Sequence, residues 1–140
     1  MNKLSIENKI ENLNQLAEFI EGFGEENNLS PKVVFELNLV LDELVTNIIN
    51  YGYDDKDIHP IDIIIEKKDD LIEIKLIDDA REFNPLEKEN VDLTVSLQDK
   101  QVGGLGIHLV KQKMDEIKYE RKENKNILYM NKRINTHGEK

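Results

Sequence analysis

The chain has 140 residues and lacks cysteine and tryptophan, with three prolines and three histidines. Without cysteine there are no disulfides and no thiolate metal sites, so the cytoplasm is the expected compartment. No segment approaches the roughly 18 consecutive apolar residues that a membrane-spanning helix needs, and the N-terminus lacks the apolar run of a secretory signal. The histidines, His59, His108 and His137, show no metal-ligand spacing, so we expect no role for them in catalysis.

Charge is strongly biased to one sign, with a formal net charge of −10. Such a surface repels phosphate backbones, which argues against a nucleic-acid partner. A protein, or a nucleotide whose charge a metal ion neutralises, is the expected partner. The length fits one domain over residues 1–140, and 39% apolar with 34% charged residues is typical of a globular chain.

Hydrophobic periodicity predicts three helices and two hairpins. The first predicted elements are a short N-terminal strand up to about residue 10 and helices over about 12–27 and 31–51. A hairpin follows, with strands over 61–66 and 72–76 and a turn at 67–70, and then an irregular stretch over 79–103. The last elements are a helix that opens at the glycine-rich residues 103–106 and two strands over 117–122 and 127–134, joined by 123–126. Ser30 and Pro31 are the expected N-cap and first residue of the second helix, and Gly52 its stop. This order predicts an α+β fold: a two-layer sandwich with a mostly antiparallel mixed sheet and helices on one face.

A polar stripe lies on the second predicted helix. Glu43, Asn47 and Asn50 are spaced i, i+4, i+7 and therefore share one face. Since 11 of the 17 residues from 33 to 49 are apolar, we expect this helix to be buried nearly all round and the stripe to face a partly enclosed site. A carboxylate with amides one and two turns away suits a Mg²⁺ ion and a general base near phosphates. Spacing alone leaves an ordinary solvated stripe equally open.

An acidic pair ends the second strand of the first hairpin. Strand alternation puts Asp78 on the core side with Ile72, Ile74 and Leu76, where a carboxylate needs a hydrogen-bond donor. The amino group of adenine is such a donor. The alternative is an Asp-Asp turn that caps the loop backbone, as Asp79 also follows here.

Glycines open the third helix. Gly103, Gly104 and Gly106 flank Leu105 and allow backbone N–H groups to approach an anion at a helix N-terminus. A glycine-rich junction between a loop and a helix is the alternative interpretation.

Together, in this order, the three clusters resemble the superfamily of gyrase, mismatch-repair and chaperone ATPases and sensor histidine kinases. Glu43 with Asn47 is similar to its N box, residues 78–80 to its first glycine box, and residues 104–106 to its second. Within the superfamily the chain most resembles the anti-sigma-factor serine/threonine kinases, in length, in the run of residues 47–54 and in the closing strand from Asn126. The resemblance spans about residues 5–134 and implies the Bergerat ATP-binding fold, with an ATP lid over about 86–103.

The resemblance also implies roles for single residues. Glu43 is the expected general base, Asn47 the ligand of Mg²⁺, and Asn50 a neighbour of the phosphates. Asp78 is expected to accept a hydrogen bond from the adenine amino group, while Ala80 belongs to the same box. Gly104, Leu105 and Gly106 are expected to wrap the triphosphate. ATP and Mg²⁺ are therefore the expected ligands.

One departure from the family pattern lies at Ala80, where the family has glycine, followed by Arg81 and Glu82 in place of prolines. If that position needs a positive φ or a close backbone approach, alanine costs on the order of 1 kcal/mol and weakens nucleotide binding.

Three functions compete. The first is a kinase that phosphorylates a serine or threonine of a small antagonist (anti-anti-sigma) protein and sequesters a sigma factor, with a homodimer implied by the family. The second is a nucleotide-gated binding module that transfers no phosphate, which the altered box at Ala80 favours. The third is the catalytic domain of a histidine kinase, which is disfavoured if no phosphoacceptor helices precede Leu4.

Overall fold

The computed structural model describes residues 2–87 and 104–134, with the backbone alone for residues 87 and 104–107. Its elements are β1 (Asn2–Glu7), α1 (Leu13–Glu26, after a 3₁₀ turn at Ile10–Asn12), α2 (Pro31–Tyr51), β2 (Pro60–Lys68), β3 (Leu71–Asp78), a 3₁₀ turn at Pro85–Glu87, α3 (Gly104–Lys113), β4 (Glu116–Lys122) and β5 (Lys125–Arg133). No helix in the described ranges is long and apolar enough to cross a membrane.

The strands form one five-stranded sheet in the order β1-β2-β3-β5-β4. All four pairings between these strands are antiparallel. The predicted α+β fold is confirmed, and the described strands show no parallel pair of the expected mixed sheet.

The core lies between one face of this sheet and the helices. Alternate residues of the strands are buried: Ile61, Ile63 and Ile65 on β2, Ile72, Ile74 and Leu76 on β3, and Leu128 and Met130 on β5. They pack with Leu16, Ile20 and Phe23 of α1 and with Leu37, Val40, Leu41 and Val45 of α2 in a single cluster. Because each fully buried aliphatic side chain contributes about 1.5–3 kcal/mol, this alternation holds the two layers together.

The second helix begins and ends as predicted. The Ser30 hydroxyl accepts a hydrogen bond from the Val33 N–H at 3.2 Å, and Pro31 occupies the first helical position. At the other end, the Gly52 N–H donates to the Ile48 carbonyl at 2.9 Å. The cap residue has ordinary helical φ, so the need for glycine at this position arises from close packing and not from a left-handed backbone.

The expectation that α2 is buried nearly all round is met only in part, since Phe35 and Asp42 are exposed between residues 33 and 49. The helix buries a single face, while Phe35 is 65% exposed and Asp42 lies in solvent. Of the other apolar residues, Val34, Ile48 and Ile49 are half-buried and pack against the core, and Phe35 points outward. Counting apolar residues does not show which side they occupy.

Ion pairs of a buried glutamate join α2 to α3 and β5. Glu36 is 8% exposed, and its carboxylate pairs with Lys132 of β5 at 2.9 Å and with Lys113 at the end of α3 at 3.3 Å. Burial opposes the ionised form, but the two lysines together hold the pKa of Glu36 below its usual value. The position of α3, and so of the glycines that open it, is thereby tied to α2 and β5.

The turn of the second hairpin is shorter than predicted. Glu123 and Asn124 form a two-residue turn with φ of 53° and 64°, and β5 begins at Lys125. Two consecutive residues with positive φ are typical of the hairpin turn that matches the strand twist. Asn126, predicted to belong to the turn, therefore lies in β5 opposite Asp78 of β3.

Candidate functional site

A cavity of about 470 Å³ opens between the C-terminal half of α2, the end of β3 and the strands β4 and β5. Its size is in the range of small-molecule sites. Four residues of the predicted ATP site line it, namely Asn47, Asn50, Asp78 and Ala80. Other lining residues are Leu44, Tyr53, Arg81, Phe83, Tyr119, Asn126 and Leu128. Residues predicted from two separate clusters thus meet in one place.

Asp78 is the buried polar end of this cavity. It is the last residue of β3 and is 5% exposed. Its Oδ1 accepts hydrogen bonds from the Ala80 N–H at 3.0 Å and the Asn126 side-chain amide at 2.9 Å. Burial raises the pKa of Asp78, and these two hydrogen bonds oppose that rise.

The second oxygen of Asp78 makes no hydrogen bond with the residues that the structure describes. Within residues 2–87 and 104–134, no donor lies within hydrogen-bond distance of Oδ2. Every fully buried side-chain oxygen and nitrogen in this part of the chain has a partner. Since Asp78 lines the cavity, its Oδ2 is open to the cavity and presents an acceptor there.

Asn126 is a site residue to which the sequence analysis gave no role. Its side-chain nitrogen donates to Asp78 Oδ1 and to the Arg81 carbonyl, both at 2.9 Å, and lies 3.4 Å from the Ala80 carbonyl. The residue is 7% exposed. Extending the buried alternation of Leu128 and Met130 back by two residues would have placed it on the core face.

The oxygen of the same amide accepts from three donors. The Phe83 N–H is 3.3 Å away, the Arg121 guanidinium 3.1 Å, and the Tyr119 hydroxyl also donates to it. Because the donor-only groups surround the oxygen and the acceptor-only groups surround the nitrogen, the amide has one satisfying orientation. Arg121 additionally donates to the Ala80 carbonyl at 2.9 Å.

Ala80 shows none of the backbone strain that its departure from glycine suggested. It is absent from the residues with positive φ, and its side chain is 4% exposed. The residue that needs to be glycine here is Gly52, because a Cβ added to it would lie 2.7 Å from the Ala80 Cβ. The Arg81 N–H donates to the Gly52 carbonyl at 3.0 Å, so the loop and the end of α2 are joined directly.

The polar stripe of α2 forms the opposite side of the site. The Asn47 amide donates to Glu43 Oε2 at 3.3 Å, and both side chains are half-buried. Asn47 and exposed Asn50 line the cavity, whereas Glu43 lies one turn away and is not among the lining residues. With its nitrogen turned to Glu43, the Asn47 amide oxygen accepts no hydrogen bond from residues 2–87 or 108–134.

No three His, Asp or Glu side chains in the described part of the chain form a metal site. A Mg²⁺ ion commonly uses one or two protein ligands together with phosphate oxygens and water. The free amide oxygen of Asn47 fits such a shared ion.

The predicted glycine cluster lies at the start of α3. Gly104 is its first residue, with Leu105 and Gly106 in the same turn, so a helix opens at these glycines as predicted. The predicted lid over about 86–103 lies outside the described residues except for its first two positions.

His59, a residue of the loop before β2, reaches the site through Tyr53, which lines the cavity. Its ring stacks on Tyr53 with centroids 4.2 Å apart, and its nitrogens lie 2.8 Å from Asp55 Oδ1 and 3.1 Å from Asp79 Oδ2. Tyr53 donates its hydroxyl to Asp79 at 3.1 Å. The hydrogen bond with Asp55, followed by that with Asp79, raises the pKa of His59. His108 lies exposed beside Gln112, and His137 is outside the described residues.

Comparison with known proteins agrees with the geometry at the level of a family. Residues 6–132 match the family model of the histidine kinase-like ATPase domain. None of the curated proteins matches the chain.

Proposed function

The chain belongs to the histidine kinase-like ATPase family, and on this premise we propose that it is an anti-sigma-factor serine/threonine kinase. The proposed activity is transfer of the γ-phosphate of ATP to a serine or threonine of a small antagonist protein, with sequestration of a sigma factor. The observation that carries it is the meeting, in one cavity, of the free Asp78 oxygen with the amide stripe of α2. The α+β architecture is that of a Bergerat-type ATPase.

At the inner end, Asp78 is suited to bind the adenine. Its free oxygen accepts, and the amino group of adenine donates, so the two are complementary. The apolar side chains Leu44 and Leu128 and the aromatic ring of Phe83 line the same cavity and suit a flat purine ring. In this proposal the base lies against β3 and the phosphates extend toward α2 and the start of α3.

At the outer end, Asn47 would hold a Mg²⁺ ion, which when bound would neutralise phosphate charge. Gly104, Leu105 and Gly106 would bring backbone N–H groups of the helix N-terminus to the triphosphate, where a helix carries partial positive charge. Asn50, an exposed residue of the cavity lining, would contact the phosphates.

Glu43 would act as the general base. Its Oε2 accepts from Asn47, while no donor in the described ranges occupies Oε1, which is free to take a proton. The acceptor hydroxyl oxygen would attack the γ-phosphorus, its proton would pass to Glu43, and the bond to the leaving ADP would break. Placement and charge neutralisation are most of what phosphoryl transfer requires.

The anti-sigma-factor class is supported by the run from Asn47 to Asp54. In the structure this run supplies five consecutive lining residues, from Asn50 to Asp54, and includes Gly52, to which the Asp78–Arg81 loop is bonded. The resemblance to the class thus falls on residues that build the cavity. The sigma factor, the antagonist protein and a homodimer are the proposed partners.

A nucleotide-gated binding module without phosphate transfer is the second candidate. It is favoured by the position of Glu43 behind Asn47 and outside the lining of the cavity. In this case, nucleotide binding would control partner binding and Glu43 would be dispensable.

Incubation with γ-labelled ATP and candidate antagonist proteins separates the two. Glu43→Gln is expected to lower transfer by ~10²–10⁴ while the Kd for ATP stays within about twofold. Asp42→Asn, which changes the adjacent exposed carboxylate of α2, is the matched control and should transfer at the wild-type rate. Transfer at the wild-type rate in Glu43→Gln contradicts the general-base role. Nucleotide-dependent partner binding with no transfer to any acceptor favours the binding module.

A further inference from the structure

One side chain of β5 makes several of the hydrogen bonds to the loop that follows β3. Asn126 uses both ends of its amide on this loop: the nitrogen bonds Asp78 Oδ1 and the Arg81 carbonyl, and the oxygen accepts from the Phe83 N–H. The residue is separated from Asp78 by 48 positions in sequence and lies opposite it in the β3–β5 register. The conformation of residues 78–83 therefore depends on β5.

The hydrogen bond to Asp78 has a directional consequence. A carboxylate can rotate about its last bond and exchange its two oxygens, or tilt either of them away from the cavity. Two donors, the Asn126 amide and the Ala80 N–H, both meet Oδ1 and hold it. This leaves Oδ2 as the oxygen that faces the cavity.

Asn126 itself is held from the opposite side. Arg121 and Tyr119 of β4 donate to its oxygen, and β4 pairs with β5 so that Arg121 is directly opposite Asn126. A hydroxyl side chain offers one donor, and a carboxylate offers none, so neither reproduces the contacts of the amide. These partners form a chain of hydrogen bonds from β4 through β5 to Oδ1 of Asp78 on β3.

We propose that Asn126 is a specificity-determining positioning residue: by fixing one oxygen of Asp78 it presents the other to the ligand and so selects a base that carries an exocyclic amino group. The inference rests on the proposed binding of ATP and deepens it. Asn126 does not need to touch the base. It acts through Asp78, and its substitution should affect recognition of the amino group more than recognition of the rest of the nucleotide.

The test compares two probes, ATP and purine riboside 5′-triphosphate, which is the same molecule without the 6-amino group. In the wild type, loss of the amino group should weaken binding roughly 10–150-fold, as expected for one hydrogen bond to a charged acceptor. In Asn126→Ser that ratio should fall below about threefold, because Asp78 keeps only the Ala80 N–H as a donor to Oδ1 and its carboxylate is no longer fixed by β5. Calorimetry or fluorescence titration gives both Kd values.

Asn131 provides the matched control on the same strand. Its amide also donates to a carboxylate, Glu116 at 2.6 Å, but it is outside the cavity. Asn131→Ser should leave the ratio between the two probes at the wild-type value. If Asn126→Ser does not fold, Asn126→Thr introduces a β-branched side chain suited to a strand and supplies one donor in place of two. Its ratio should still fall at least threefold below that of the wild type.

The outcomes separate the inference from the function on which it rests. A ratio that is unchanged in a folded Asn126 variant overturns the positioning role, as does equal weakening of both probes. Equal affinity of the wild type for both probes also overturns it, together with the contact between Asp78 and the amino group, while ATP binding stands. Binding of neither probe by the wild type at millimolar concentration refutes the proposed function itself, and the inference with it.

Discussion

Asp78→Asn is a substitution whose effect on the ligand can be worked out from the hydrogen bonds around it. The Ala80 N–H and the Asn126 amide both donate to the Oδ1 position. The new amide must therefore place its oxygen there, because its NH₂ group would otherwise face two donors. Its nitrogen is then directed to the cavity, where Oδ2 was.

The expected magnitude follows from this reversal. A donor replaces an acceptor opposite the amino group of adenine, so one hydrogen bond to a charged group, about 1.5–3 kcal/mol, is lost. The Kd for ATP should rise at least ~10–150-fold. Inosine triphosphate carries an oxygen in place of the amino group, and its affinity should rise in the variant, so that the preference between the two nucleotides reverses.

The stability of the variant tells a binding effect from unfolding. Burial raises the pKa of Asp78 above its ordinary value of 3.8, so the folded chain keeps this proton to higher pH than the unfolded chain. The free energy of unfolding therefore falls as pH rises from the unfolded pKa through the folded one. Asp78→Asn removes this loss, and the variant should be at least as stable as the wild type at neutral pH.

Calorimetric titration with ATP and inosine triphosphate, together with thermal melting, measures all three quantities. Ala80→Gly is a useful companion, since Ala80 shows no positive φ and its methyl group is not required to make the base contact. We expect that variant to bind ATP about as tightly as the wild type. An unchanged Kd for ATP in Asp78→Asn, or an equal change for both nucleotides, would refute the reasoning.

Three further predictions concern other parts of the site. Asn47→Ala should weaken ATP binding in the presence of Mg²⁺ and reduce its dependence on Mg²⁺, as measured by titration with and without the metal. His59→Asn should lower the melting temperature more at pH 6 than at pH 9, because a raised His59 pKa stabilises the fold below the ordinary pKa of 6.5 and this contribution disappears as pH rises through the folded pKa. An equal loss at both values would contradict the ion-paired His59. Gly52→Ala should destabilise the fold by about 1–3 kcal/mol in urea, since its Cβ would lie 2.7 Å from the Ala80 Cβ. Gly22→Ala, with no atom within 4 Å of the added Cβ, should instead stabilise by about 0.5–1 kcal/mol.

Much of the fold could be predicted because its signals are local. Alternation along residues 61–65 and 72–76 reports a sheet with one buried face, and Ser30 before Pro31 reports a helix start. The same local logic placed Asp78 on the core side, where it is found. A structural feature that depends on the residues of one helix or strand alone can be predicted from the sequence.

The features that could not be predicted depend on contacts between distant segments. His59 pairs with Asp79 because the loop before β2 folds against the end of β3. Tyr53, from the same loop, also donates a hydrogen bond to Asp79. Phe35 is exposed because the positions around α2 that face the sheet and α1 were already filled by other apolar residues. Neither fact follows from the neighbours of these residues in sequence.

Asn126 shows how far a site can depend on a turn that carries no motif. Side chains alternate along a strand, so a register slip of one residue would turn Asn126 to the outer face of the sheet and leave Asp78 without its side-chain donor. The register is set by Glu123 and Asn124, both with positive φ, in a turn that neither lines the cavity nor resembles a nucleotide-binding box. A longer connection, as the sequence suggested, shifts the start of β5 and removes the reason to place Asn126 opposite Asp78. The acceptor that faces the ligand is therefore specified jointly by the buried Asp78 and by the backbone of the hairpin turn that joins β4 to β5.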